Sequence, residues 1–281
     1  MAEAEPALEL RGVGMRFGTV TVLRDVDYQV ERGAIHALVG HNGAGKSTLM
    51  KIALGGYAPT AGTVAIGGAP LPPGKPSEAR RLGLGMVLQE RSLIPTLSGL
   101  DNIFLGAERI NPVTRLLRRR AELAEAERLC EELRIAPGVL RRQVGDMTPV
   151  EQQMVEIAKA VRLARSVLVL DEPTAPLSHR EIDALFTVIR RVAEVGAGIV
   201  YISHHLSEVF AISDRVTCLR EGQVSLSAPT AQTSRRWCQS RDVRERRLIS
   251  RPRTSPTWPI VTSASSRWKP SRRSGSLALR P

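Results

Sequence analysis

The chain has 281 residues, of which 42% are hydrophobic and 24% charged, enough for one large domain or two small ones with a sizeable core. Its net charge of +12 suggests a nucleic-acid partner only until the charge is located: residues 229–281 hold 13 Lys+Arg against 2 Asp+Glu, whereas residues 1–228 hold 27 against 26. The body is electrostatically ordinary, which argues against nucleic acid; no run approaches the ~18 apolar residues that span a bilayer. The three cysteines (Cys130, Cys218, Cys238) are too scattered for a disulfide framework or zinc site and read as reduced thiols of a cytosolic protein.

In chain order, an acidic N-terminus without an apolar signal core is followed by strands at Leu8–Leu10, Val20–Leu23 and the apolar run Ala34–Val39. The segment Gly40-His41-Asn42-Gly43-Ala44-Gly45-Lys46-Ser47-Thr48 comes next and leads into a helical stretch from Leu49. It fits G-x-x-x-x-G-K-[ST] between a strand and a helix, the context that a phosphate-binding loop requires. Glycines let successive N–H groups point at phosphate oxygens, and the helix N-terminus adds a favourable dipole. Lys46 is the expected partner of the β- and γ-phosphates and Ser47 a ligand of Mg²⁺. The motif predicts binding of a nucleoside triphosphate.

A turn at Pro59–Gly62 leads to a strand at Thr63–Ile66, and another strand, Gly85–Leu88, ends at Gln89. From about Ser98 to Arg165 the pattern is helical, strongly charged from Arg115 to Arg134, broken at Pro137-Gly138 and restarted near Thr148. The apolar run Val167–Leu170 reads as a central parallel strand, followed by a helix over His179–Val195 and strands at Gly198–Ser203 and Arg215–Leu219. This alternation predicts an α/β core with a parallel-dominated sheet and an inserted helical subdomain, without internal repeats in residues 1–228. Residues 229–281, rich in Arg, Ser and Pro and containing all three tryptophans, lack periodicity from Ser234 onward; disorder is the default expectation.

Asp171-Glu172-Pro173, at the C-terminal end of the buried strand, is the natural second half of a nucleotide site. Asp171 is placed to hold Mg²⁺, and Glu172 to orient or deprotonate an attacking water; the alternative is an acidic turn that merely caps a helix.

Together, Gly40–Thr48, Gln89 after a strand, Asp171-Glu172-Pro173-Thr174 and His204 after Tyr201-Ile202-Ser203 resemble the ATP-binding subunits of ABC transporters. The stretches Ala37–Gly40, Gln152–Ala160 and Tyr201–His204 bring the likeness closer to subunits that energise bacterial monosaccharide importers, over roughly residues 8–227. The resemblance implies a P-loop ATPase core with an N-terminal antiparallel β subdomain and an inserted α-helical subdomain. ATP and Mg²⁺ would be its ligands, and catalysis would rest on Glu172, His204 and Gln89. It places Phe17 where an aromatic ring stacks on adenine, although a core Phe fits the sequence nearly as well. Gln89 would sense Mg²⁺ and the attacking water; His204 would contact the γ-phosphate and hold Glu172 in register, while His205 reads as a helix-start residue.

The implied partners are membrane permease subunits, docked through the helical subdomain near Gln89–Gly106, a second ABC module and, indirectly, a periplasmic sugar-binding protein. The implied place is peripheral, on the cytoplasmic face of the inner membrane. A soluble ABC protein acting on nucleic acid or ribosomes through the basic tail, and an ATP-binding fragment without transport activity, are the competing readings.

Three departures qualify the likeness. Where the family carries Leu-Ser-Gly-Gly-Gln, this chain has Met147-Thr148-Pro149-Val150-Glu151. Pro149 has no N–H, Val150 adds a branched side chain and Glu151 brings a negative charge, so the signature is expected to bind phosphate weakly. As helix chemistry it is sound, with Thr148 as N-cap, Pro149 at the first position and Glu151 closing a capping box. The loop after Thr174 also lacks the family's usual aspartate.

The third departure is length, because monosaccharide-importer ATPases usually carry two modules in one chain. Residues 1–228 read as one module, and residues 229–281 as a basic tail or an out-of-frame translation of a linker and second module. Translating the other two frames of the coding DNA beyond codon 228 is expected to reveal a second phosphate loop or signature; neither motif in either frame would dispose of the frameshift.

Overall fold

A computed structural model describes residues 5–88, 92–112, 114–175 and 177–233. Two sheets organise it. The first is antiparallel throughout, in the order β2-β1-β4-β5, built from β1 (Leu8–Phe17), β2 (Val20–Val30), β4 (Ala61–Ile66) and β5 (Ala69–Pro70). The second has the order β10-β9-β3-β8-β7-β6, with β3 (Ile35–Val39), β6 (Leu84–Val87), β7 (Val167–Asp171), β8 (Gly198–Ile202), β9 (Arg215–Arg220) and β10 (Gln223–Pro229). Its neighbours pair in parallel except β9 with β10. The expected α/β core with an N-terminal antiparallel β sheet is present.

The apolar runs predicted as central strands conceal a period of two. In β7, Val167 and Val169 enter one core while Leu168 and Leu170 enter the other; in β8, Val200 and Ile202 separate in the same way from Ile199 and Tyr201. Each face therefore needs its own cover. On one face lie the antiparallel sheet and α1 (Lys46–Ala53), through residues such as Leu8, Val26, Leu49 and Ile52. On the other lie α3 (Gly99–Phe104), α4 (Arg119–Leu133), α5 (Pro149–Leu163) and α6 (His179–Glu194). Short helices α2 (Pro76–Arg81) and α7 (Leu206–Ile212) complete the set.

The inserted helical region is more interrupted than its periodicity suggests. Between α3 and α4 the chain forms a small hairpin in which Ile110 bridges Leu117, so the charged stretch becomes helical only at Arg119. The Pro137-Gly138 break is a 3₁₀ turn, Pro137–Leu140. Helix α5 starts as expected: Thr148 Oγ1 accepts from the Glu151 amide at 3.3 Å, and Glu151 accepts from the Thr148 amide at 2.8 Å. Its Gln153–Ala160 segment supplies much of the core on that face.

Strands β1 and β2 are longer than their alternation indicated. Their pairing passes through register shifts between Leu10 and Arg16, and Asp25 takes a left-handed φ of 49°, so the inside–outside pattern slips along the strands. Strand β10, absent from the elements expected above, is an antiparallel edge whose burial alternates only weakly. It carries the fold across the compositional boundary at residue 228: Pro229 pairs with Arg215, the Thr230 amide donates to the Asp214 carbonyl at 2.8 Å, and Thr230 and Thr233 are buried. The remaining tail, 234–281, lies outside the described residues. Among the described residues no helix is long and apolar enough to cross a membrane.

Candidate nucleotide site

Strand β3 is buried along its whole length and delivers the chain to Gly40 at the edge of the sheet. A Cβ on Gly40 would run into the Leu219 carbonyl of β9, so only glycine lets the loop leave the strand there. At the other end Gly45 forms the left-handed N-cap of α1 (φ 105°), where a Cβ would lie 2.7 Å from Leu23 Cδ2. The loop between them is fastened from below: Ala44 is buried, and its carbonyl accepts from the Gly222 amide at 3.1 Å. The β9–β10 turn thus holds the loop, a support with no motif of its own in the sequence.

Above this anchored base, Asn42, Gly43, Gly45, Lys46, Ser47 and Thr48 line a cavity of about 350 Å³ with Val22. Lys46 Nζ donates to the carbonyls of Gly40 (2.7 Å) and His41 (3.2 Å), which holds the ammonium over the loop. Burial pulls the Lys46 pKa down, while the carboxylates of Glu172 and Asp171 oppose that shift.

The parallel register supplies the rest of the site. Leu38 pairs with Ile202, and Ile202 pairs with Asp171, so three strand ends stand side by side. One or two residues beyond that line come Gly40, His204 and Glu172. Glu172 adopts a left-handed φ of 47° and its amide donates to the Ile202 carbonyl at 2.9 Å, a turn that ties the two strand exits together. His204 Nδ1 lies 3.0 Å from Glu172 Oε1. Asp171 is half-buried: burial first, then the neighbouring Glu172, raises its pKa against the pull of Lys46.

The structure thus gathers Lys46, Asp171, Glu172 and His204 at one sheet edge, with the cavity that Ser47 and Thr48 line at the loop. Phe17 ends β1 with 44% of its surface exposed and its ring edge-on to Tyr57 at 5.5 Å, which removes the core alternative for this residue. Gln89 lies outside the described residues. Thr148, Pro149, Val150 and Glu151 begin α5 and are not among the residues lining the loop's cavity. The Glu151 carboxylate is turned back: one oxygen accepts from Thr148 and the other from Arg142 at 2.5 Å, and these contacts hold its pKa below the usual carboxylate range. The negative charge expected at this surface is therefore engaged within the chain.

A larger cleft of about 970 Å³ lies between β1–β2 and β9–β10 and contains none of the sequence-predicted site residues. Its buried His36 sits 2.6 Å from the Gln29 carbonyl and 2.8 Å from the Thr217 hydroxyl. Burial pushes its pKa down to about 4, so it stays neutral and engaged near physiological pH.

A glycine-bounded loop at a helix start, with acidic residues at the end of the next parallel strand but one, is an arrangement suited to a polyphosphate and a divalent cation. Comparison with known proteins decides the family: residues 23–175, more than half of the chain, match the family model described as ABC transporter. The chain belongs to the ABC transporter family. The ribose import ATP-binding protein RbsA 1 of Rubrobacter xylanophilus is 46% identical over 221 residues, covering 78% of this chain and 43% of that protein. A putative ribose/galactose/methyl galactoside import ATP-binding protein of Agrobacterium fabrum is 44% identical over 231 residues, 82% of this chain and 46% of that one. The chain therefore spans less than half the length of these curated relatives.

Among solved structures, the ADP conformation of an ATP-binding cassette of an ABC transporter superimposes with a TM-score of 0.75 at 21% identity, covering 86% of this chain and 98% of that one. A nucleotide-free ATP-binding cassette gives 0.74 at 21%, with the same coverage. These structures share the fold of this ABC chain.

The raised pKa of Asp171 has a consequence for stability. A carboxyl group with a raised folded-state pKa favours folding below its unfolded value, and that contribution is lost as pH rises through the folded value. Asp171→Asn is therefore expected to raise the melting temperature of the ligand-free chain at neutral pH. The gain should shrink as pH falls through the pKa of Asp171. A lower melting temperature at neutral pH, read by scanning calorimetry, would contradict this account.

Proposed function

We propose that this chain is the nucleotide-binding subunit of a sugar importer, binding ATP with Mg²⁺ and hydrolysing it to energise transport through a membrane permease. The observation that carries the reading is the convergence of Lys46, Asp171, Glu172 and His204 at one sheet edge, in a chain closely similar to proteins named for ribose and galactoside import.

In this reading the loop N–H groups from Gly40 to Thr48 and the Lys46 ammonium bind and orient the phosphates. Phe17 stacks on the adenine. The Ser47 hydroxyl and the Asp171 carboxylate offer the hard oxygen donors that Mg²⁺ prefers, and Gln89 joins them. When bound, the metal neutralises charge on the β- and γ-phosphates. Glu172 orients the attacking water and takes its proton as the water oxygen bonds to the γ-phosphorus and the bond to the ADP oxygen breaks. His204 keeps Glu172 aimed and contacts the γ-phosphate.

Residues 1–228 would form the ABC module, with residues 98–165 as its helical part. The module docks near Gln89–Gly106 on the cytoplasmic face of the membrane, and a periplasmic binding protein delivers the sugar to the permease. The closing surface comes from a second module, because Pro149 lacks a backbone N–H, Val150 puts a branched side chain where the family has glycine, and Glu151 is committed to capping α5. By itself the chain binds Mg-ATP and turns it over slowly.

Two sets of variants test this. Lys46→Ala should weaken ATP binding at least tenfold, and Glu172→Gln should cut turnover by roughly 10²-fold or more while leaving affinity nearly unchanged. Turnover by Glu172→Gln close to that of the parent would remove Glu172 as the base. In an assembly reconstituted with its permease, the double change Val150→Gly, Glu151→Gln should raise the ATPase rate, since Gln still closes the capping box. An unchanged rate would show that the signature does not limit turnover.

A further inference from the structure

Behind the site, three hydroxyl groups from two chain segments converge on a single carboxylate oxygen. Glu208 Oε2, in the first turn of α7, accepts from Thr174 Oγ1 at 2.8 Å, from the Tyr201 phenol at 2.8 Å and from Ser203 Oγ at 3.0 Å. Thr174, Tyr201 and Ser203 are all buried. Thr174 lies two residues beyond Glu172 on the exit of β7; Ser203 immediately precedes His204 on the exit of β8. The network continues outward: the His205 amide donates to Ser203 Oγ at 3.0 Å, and the Tyr201 ring packs edge-on against Phe186 of α6 at 6.2 Å. Burial beside Glu208 raises the Tyr201 pKa, which keeps its phenol protonated and donating.

We infer that Glu208 is a positioning residue: its carboxylate clamps the two strand exits so that Glu172 and His204 meet. The inference deepens the ATPase reading above and rests on it. Its physical basis is that charge-assisted O–H···O⁻ bonds are stronger than neutral ones, and a shared acceptor ties together side chains from both strand exits. Glu172 and His204 sit just past the ends of β7 and β8, where the Glu172 amide still donates to the Ile202 carbonyl but the regular strand pairing has ended. The 3.0 Å contact between their side chains needs both exits fixed at once. No motif marks Glu208 in the sequence, where it looks like an ordinary acidic residue in the first turn of a helix.

The test uses the full chain with Glu208→Ala, which removes the acceptor, Glu208→Gln, which keeps an oxygen acceptor without the charge, and Thr174→Val, which removes one donor at nearly constant shape. ATP dissociation constants, steady-state turnover and amide hydrogen exchange are compared. Glu208→Ala should lower kcat about tenfold or more with ATP affinity essentially unchanged, and Glu208→Gln should restore most of it. Exchange at the Glu172 and His205 amides should accelerate in Glu208→Ala, while amides of the Gly40–Thr48 loop keep their parent rates. If Glu208→Ala does not fold, Thr174→Val should give a smaller kcat loss and faster exchange at the Glu172 amide.

Unaltered exchange at both turns, or a loss of ATP affinity matching the loss of kcat, overturns the positioning role. A parent chain without hydrolysis, whose turns still loosen in Glu208→Ala, overturns the ATPase reading instead and leaves the clamp standing.

Discussion

Everything at the site depends on one register. Leu38, Ile202 and Asp171 lie abreast on three adjacent parallel strands, so the chain leaves all three strands at the same edge. A slip of one residue would displace Glu172 from His204 by about 3.3 Å and send each strand's side chains to the opposite face. That slip is resisted because the two faces meet different covers. Leu168 and Leu170 pack under the helices, while Val167 and Val169 pack under α1 and the antiparallel sheet. The two cores thus determine which residues stand at the sheet edge.

The site itself is costly to the fold. Asp171 is half-buried beside Glu172, and burial together with that neighbouring charge disfavours its ionised form against the pull of Lys46. Gly40 and Gly45 bring conformational entropy costs that a side chain would reduce were there room for one. Glu172 adds a left-handed backbone conformation at a non-glycine position. Strain and unfavourable charge concentrated in a few residues, inside a body that is otherwise well packed and nearly neutral, are typical of a site kept for function.

The start of α5 shows the opposite balance. The Thr148 and Glu151 amides and side chains satisfy one another, and Arg142 completes the arrangement. The Glu151 amide bonded to Thr148 Oγ1 is already occupied by its own chain. A helix end capped in this way is stable in isolation and correspondingly poor at receiving an outside anion.

The phosphate loop, the acidic strand end, the α/β class and the capping box of α5 were all legible in the amino-acid order alone. Each of these is a local pattern whose meaning comes from residue type and spacing within some ten residues. The same order did not reveal the β9–β10 turn under Ala44, the extent of β10 across a change in composition, or the meeting of three hydroxyls at Glu208. Glu172 and His204 were each visible as candidates, but their 3.0 Å contact spans 32 positions of sequence and exists only because β7 and β8 are neighbours. Whether Phe17 is core or surface was likewise left open by its sequence, since an aromatic at a strand end fits either. Pairing between distant strands decided these points, because hydrogen-bond register and burial are properties of the assembled sheet.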